Sequence, residues 1–103
     1  SEALKKFIKI NLGYPQEALL HRVEGKVFIN YEVNDKGEVH NVKVTSGIGY
    51  GCDKEAKRIV KLLKYPSKIN KKVRINTKFK IVIHFNLPKA KPIQIKYVYT
   101  KHS

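Results

Sequence analysis

The chain has no methionine, one cysteine, three arginines and only eight acidic residues among its 103 positions, and each shortage excludes something. Without methionine the sequence cannot start at its own initiator codon, so it is expected to be processed or cut from a longer protein. With Cys52 alone there is no internal disulfide, and the redox compartment stays open. No apolar run approaches the roughly twenty residues of a transmembrane helix, and no signal peptide opens the chain. The few acids form no pair suited to acid–base work. His21, His40, His84 and His102 fall on separate segments at no ligand spacing; His40 and His84 can be neighbours in a sheet, but without a third ligand they are expected to be solvated. The reading is a non-enzyme without metal or cofactor.

What is present is positive charge, unevenly spread. Residues 1–52 carry seven Lys/Arg against six acids, a net of +1, whereas residues 53–103 carry fifteen against two, a net of +13. Such a half suits an anionic partner. Nineteen of the 22 cations are lysine, and arginine is the better fork for phosphate and base edges. Nucleic acid is therefore not the expected partner.

Periodicity supplies the elements. Residues 2–10, EALKKFIKI, place Leu4, Phe7 and Ile8 on one side of a short helix ended by Gly13. Pro15 fits a first helical position, Ala18, Leu19 and Val23 follow at helical spacing, and Gly25 is expected to stop that helix. Val27, Ile29, Tyr31 and Val33 then alternate with Lys26, Phe28, Asn30 and Glu32, a strand. Asn34–Gly37 is a hairpin turn with Gly37 at positive φ, and the return strand slips phase between Val39 and Val42, which predicts a bulge. Ser46–Gly51 reads as a connector, since its glycines fit no phosphate-loop spacing. Ala56, Ile59, Val60 and Leu63 mark an amphipathic helix with a Lys/Arg outer face, ended by Tyr65-Pro66. Cys52, at its start, reads as a small buried residue rather than an activated thiol.

The longest pattern is 73–87, VRINTKFKIVIHFNL. Odd positions are apolar except Thr77, and even positions polar except Val82. A strand of that length near a chain end must be paired on both sides or leave an open edge that is blunted or binds something. After the break Pro88–Pro92, Ile93, Ile95, Tyr97 and Tyr99 alternate again and can form an extra C-terminal strand. The fold class is α+β.

Tyr14-Pro15 with Ala18, Glu24-Gly25-Lys26-Val27, Gly37-x-Val39, Val42-x-Val44, Ser46-Gly47, Cys52-Asp53-x-x-Ala56, Tyr65-Pro66 and a final alternating strand ending at Phe85 together resemble the TonB C-terminal domain family, in the form common among Bacteroidetes energy transducers. Pro66-Ser67 departs from the family's frequent Pro-Gly, and residues 88–103 run past its usual end. The resemblance divides the chain into a lead-in at 1–13, the domain at 14–87 and an extension at 88–103. It implies a three-stranded antiparallel or mixed sheet of order 2-1-3 with two helices packed on one face.

It also implies function: a periplasmic domain, anchored to the inner membrane in the full-length protein, that couples an inner-membrane proton-channel complex to a TonB-dependent outer-membrane transporter. The transporter's TonB box would add to the edge of the third strand. Carried onto this chain, the docking residues are Arg74, Ile75, Asn76, Thr77, Lys78, Phe79, Lys80, Ile81, Val82 and Ile83, with Asn11 and Leu12 beside them. Family members also form homodimers by exchanging strands. Other readings are a related domain serving a membrane-anchored peptidase or sensor, a cell-wall-binding module, and a basic nucleic-acid module. If the 93–100 segment folds back on the third strand, the docking edge is occupied at rest.

Overall fold

Gly25–Asn34 forms β1 and carries the architecture. Val27, Ile29, Tyr31 and Val33 all point to one face and all are buried, as a period of two requires. The computed structural model describes residues 2–67 and 76–88. In chain order the elements are α1 (Glu2–Asn11), α2 (Gln16–Leu20), β1, β2 (Val39–Ser46), α3 (Cys52–Lys61) and β3 (Asn76–Phe85). The three strands form one sheet of order β2-β1-β3, and both pairings are antiparallel. The expected 2-1-3 order is what is found, and the choice between antiparallel and mixed falls to antiparallel. The C-terminal strand expected at 93–100 lies outside the described residues.

The core lies between one sheet face and the helices. Ala18 of α2 and Cys52, Ala56, Val60 and Leu63 of α3 and its exit join Val27, Ile29, Tyr31, Ile83 and Phe85 in one cluster. α3 holds its place because its apolar residues recur at i, i+3, i+4 and i+7, and Cys52, Ala56, Ile59 and Val60 are fully buried. α1 adds Leu4, Phe7 and Ile8, all only half-buried.

The alternation in β3 lapses at Val82 and that in β1 lapses at Phe28. The register explains both, because Phe28 sits directly opposite Val82. Each puts an apolar group on the wet face, 42% and 36% exposed respectively, and a cross-strand pair of this kind covers part of each partner.

Two expectations about the second helix are corrected. Pro15 stands one residue outside α2, as its N-cap, in an extended conformation. Gly25 does not stop α2 but opens β1. The stop is earlier: Arg22 takes φ +53 while its N–H bonds Leu19 O at 3.2 Å and the Val23 N–H bonds Ala18 O at 2.8 Å. That nested pair of bonds closes a helix without glycine. The expected bulge in β2 is present, with Asn41 at φ +51 where the register shifts between Asn30 and Glu32, and a second shift follows between Phe28 and Ile29.

Gly37 takes the expected positive φ, +84, and its surroundings add a second demand. The Tyr65 N–H bonds Gly37 O at 3.1 Å, and a Cβ on Gly37 would lie 2.0 Å from Tyr65 O. The hairpin therefore docks on the segment leaving α3 by backbone contact. Gly49 has similar φ, +73, but open space around its would-be Cβ. Gly37→Ala is expected to destabilise the domain by more than about 2 kcal/mol, and Gly49→Ala by only about 1 kcal/mol of backbone strain. Thermal unfolding followed by circular dichroism compares them; equal losses would show that the contact with Tyr65 contributes nothing.

Candidate functional site

The two outer edges of the sheet differ. β3 pairs with β1 from Asn76↔Asn34 to Phe85↔Gly25 through ten consecutive partners without a shift. β2, on the other edge, is interrupted by two register shifts within eight residues. A bulge twists a strand and breaks the row of outward backbone groups, one of the ways proteins blunt an edge. Among the described residues β3 has β1 as its one strand partner, so its far edge is a regular row about 30 Å long.

Of the residues expected to form the docking edge, Asn76, Thr77, Lys78, Phe79, Lys80, Ile81, Val82 and Ile83 all lie on β3. Arg74 and Ile75 lie outside the described residues. The side facing the helices grades from Phe79 and Ile81, half-buried, to Ile83 and Phe85, buried. Phe79 is fixed by aromatic packing: it stacks on Tyr31 at 5.5 Å and on Tyr65 at 5.3 Å, and the two tyrosine hydroxyls share a 2.6 Å hydrogen bond. The other side of β3 carries Lys78, Lys80, Val82 and His84, all exposed, and no acid.

Asn11 and Leu12 are separated by their roles. Leu12 faces β3 across a groove whose described lining also includes Leu4 and Ile8 of α1 and residues 81–84 of β3. Asn11 ends α1 and turns to α3, where its carbonyl accepts a 3.0 Å hydrogen bond from Arg58 Nη2. Next to it the Gly13 N–H donates to Glu55 Oε2 at 2.7 Å, and Arg58 Nε donates to Glu55 Oε1 at 2.7 Å. This is the one ion pair among the described residues. Glu55 and Arg58 thus hold the chain between α1 and α2 against α3. Tyr14 continues the attachment, its hydroxyl donating to Val23 O and its ring meeting Phe85 edge-on at 5.6 Å.

Sequence reasoning put the third strand at an edge of the sheet but missed the Glu55–Arg58 latch and the part of α1 that lines the groove. The i, i+3 spacing of Glu55 and Arg58 was visible, but their partners at Asn11 and Gly13 are more than forty residues away.

Other sites considered from sequence resolve plainly. Asp53 Oδ1 accepts from the Ile48 N–H at 2.8 Å and the Gly49 N–H at 3.3 Å, so the glycine loop spends these amides on its own helix. Burial first, and the Asp53 charge second, push the Cys52 thiol upward, away from reactivity. His40 and His84 are not neighbours: His40 faces Glu32 and His84 faces Lys26, six residues apart along β1, or about 20 Å. Among the described residues no group of three ligating side chains could hold a metal.

An antiparallel β2-β1-β3 sheet with helices on one face and a regular outer strand defines a small α+β domain that presents a strand edge. Residues 10–87 match the family described as the Gram-negative bacterial TonB protein C-terminal domain, and the chain belongs to that family. It is accordingly a TonB-like transducer domain. Two NMR solution structures of the Helicobacter pylori TonB-CTD share the fold. For the longer fragment the TM-score is 0.63 at 21% identity, covering 84% of this chain and 79% of that one. For the shorter the values are 0.61 and 21%, covering 86% and 95%. No curated protein matches the chain.

The latch has a pH signature. Hydrogen bonding from Arg58, and less from the Gly13 N–H, holds the Glu55 carboxyl below its ordinary value, against partial desolvation. A depressed carboxyl contributes stability in full above its unfolded value of about 4.3 and loses it as pH falls through the folded value. The Gly13 amide resonance is expected to titrate with a midpoint below about 4.3, and Glu55→Gln should abolish that titration. A midpoint at or above the ordinary value would show that the latch is not formed in solution.

Proposed function

We propose that this domain grips the TonB box, a short extended segment at the periplasmic end of a TonB-dependent outer-membrane transporter, by adding it as a further strand to β3. The observation that carries the reading is the contrast between the edges: β2 is broken by two shifts, whereas β3 is unbroken over ten residues. Strand addition draws its affinity from main-chain hydrogen bonds and accepts varied side chains. One transducer serving several transporters needs that tolerance.

In this reading the contact residues are Asn76, Thr77, Lys78, Phe79, Lys80, Ile81, Val82 and Ile83, preceded by Arg74 and Ile75 and flanked by Leu12. Lys78 and Lys80, on a strand with no acid, favour carboxylates at the flanks of the box and speed its encounter. The domain works in the periplasm, tethered through an N-terminal inner-membrane anchor to a proton-channel complex. Pulling along a strand loads several hydrogen bonds at once, and they must break together, so the same contact can transmit force for nutrient uptake.

Titrating the 103-residue chain with a synthetic TonB box peptide while following backbone amides tests this. Shifts should run along 76–85, and shifts confined to other elements would overturn the reading. Thr77→Pro and Lys78→Pro sharpen it, because neighbouring N–H groups on a strand point in opposite directions. One of the two deletes an outward donor and leaves the β1 ladder whole. That variant is expected to keep the parent's circular dichroism and to bind roughly tenfold more weakly, a loss of about 1.4 kcal/mol.

A further inference from the structure

We infer that α1 is the second wall of the groove that receives a strand at β3, and that its residues select the strand: a segment with aliphatic side chains at alternate positions and carboxylates among or beside them. The inference rests on the reading that β3 accepts a strand, and adds what decides between strands.

The groove, of about 630 Å³, runs between α1 and the C-terminal half of β3. It is lined by four consecutive residues of β3, 81–84. Ile81 and Ile83 face the helices, whereas Val82 and His84 face away. A pocket over one sheet face would take alternate residues, so a groove that takes all four follows the strand's backbone edge. Residues 81–86, all but Phe85 reaching the lining, span about 16 Å, room for an extended segment of about five residues.

The opposite wall is built from two parallel rows on α1 and the residue that follows it, Leu12. Leu4, Ile8 and Leu12 recur every four residues, and Lys5 and Lys9 form the adjoining row. Rows of this spacing are the natural ridges of a helix surface. The apolar row lies on the side of Ile81 and Ile83, so an incoming strand would bury every second side chain among aliphatic groups. The lysine row lies beside it, with His84 across the groove, and the described lining contains no acid. Neither Lys5 nor Lys9 is in an ion pair among the described residues, where the one such pair joins Arg58 to Glu55. Charge complementarity therefore picks a strand carrying carboxylates. The wall is fixed where it matters, because Arg58 holds the carbonyl of Asn11, adjacent to Leu12.

The test uses the full 103-residue chain and a synthetic octapeptide of alternating valine and serine with a glutamate at each end, titrated calorimetrically and by backbone amide shifts. Ile8→Asn should weaken binding roughly tenfold, the loss expected for partial burial of one aliphatic contact. The double variant K5E/K9E should weaken it at least as much and should recover affinity for the same peptide with lysines replacing its glutamates. These lysines are exposed, so circular dichroism of the double variant should match the parent, and the charge-swap rescue is a response that misfolding cannot imitate. Unchanged affinity in both α1 variants, with binding still lost on blocking β3 by proline, would overturn this inference and leave the β3 reading intact. Amide shifts absent from β3 altogether would overturn the reading beneath it.

Discussion

β1 is the strand both of whose backbone edges are paired within the sheet, and the rest of the domain is arranged around that. Its partners run antiparallel on either side, and its buried residues Val27, Ile29, Tyr31 and Val33 supply the floor on which α2 and α3 pack. Because a strand has two edges and a three-stranded sheet has two outer strands, saturating β1 leaves two unsatisfied rows of backbone groups elsewhere. The fold treats them unequally. β2 is twisted out of regularity at Asn41 and again near Thr45, whereas β3 matches β1 residue for residue. An edge left regular is a template for another strand, so the one regular outer strand among the described residues follows from how the central strand is completed.

The helices are attached so that this edge is framed. The Tyr14 hydroxyl bonds Val23 O and its ring meets Phe85, pinning the entry of α2 to the end of β3. Glu55 and Arg58 fix the chain one step earlier, at Asn11 and Gly13. At the far end of the sheet, Tyr65 closes a cluster with Tyr31 and Phe79 while its backbone supports the hairpin at Gly37. Leu87, just past β3, is held by Glu24, its N–H donating to Oε1 at 2.7 Å. Most of these attachments join residues distant in sequence. Along the middle of the strand Ile81 and Ile83 pack inward, and its ladder to β1 runs without a shift.

How far the sequence could be read follows from the range of the physics involved. Period-two alternation is local, and it located β1 and most of β3; even its lapses at Phe28 and Val82 became consistent once the register set them opposite each other. The Gly37 turn and the β2 bulge were equally visible, since each depends on a few neighbouring residues. The stop of α2 was misplaced because glycine is the usual left-handed residue and Arg22 took that conformation instead, held by bonds to Ala18 and Leu19. The edge order came from the family resemblance, not from periodicity. What no local pattern could supply was the partner of α1: Leu4, Phe7 and Ile8 announce a helix with an apolar side, but not which strand that side meets. The separation of His40 from His84 likewise required the register, because two strands in one sheet can place a pair of residues side by side or about 20 Å apart.

A strand edge by itself is a poor discriminator, because every non-proline residue offers the same N–H and C=O. If β3 presented nothing more, any extended segment of suitable length would serve, and so would the edge of a second copy. Selectivity has to come from side chains on the visiting strand and from whatever stands on either side of its path. On the wet side stand Lys78 and Lys80, which repel a cationic strand; on the other stand Ile81, Ile83 and the row Leu4 and Ile8 of α1 continued by Leu12, which favour apolar groups. This chain's own outer strands illustrate the exclusion. β3 carries lysines at 78 and 80 and no carboxylate, so pairing with a second β3 would bring like charges close together. Under the proposed reading the lysine-rich composition acts on specificity twice: it would draw carboxylate-bearing segments toward the edge and would disfavour the protein's own edge as an occupant.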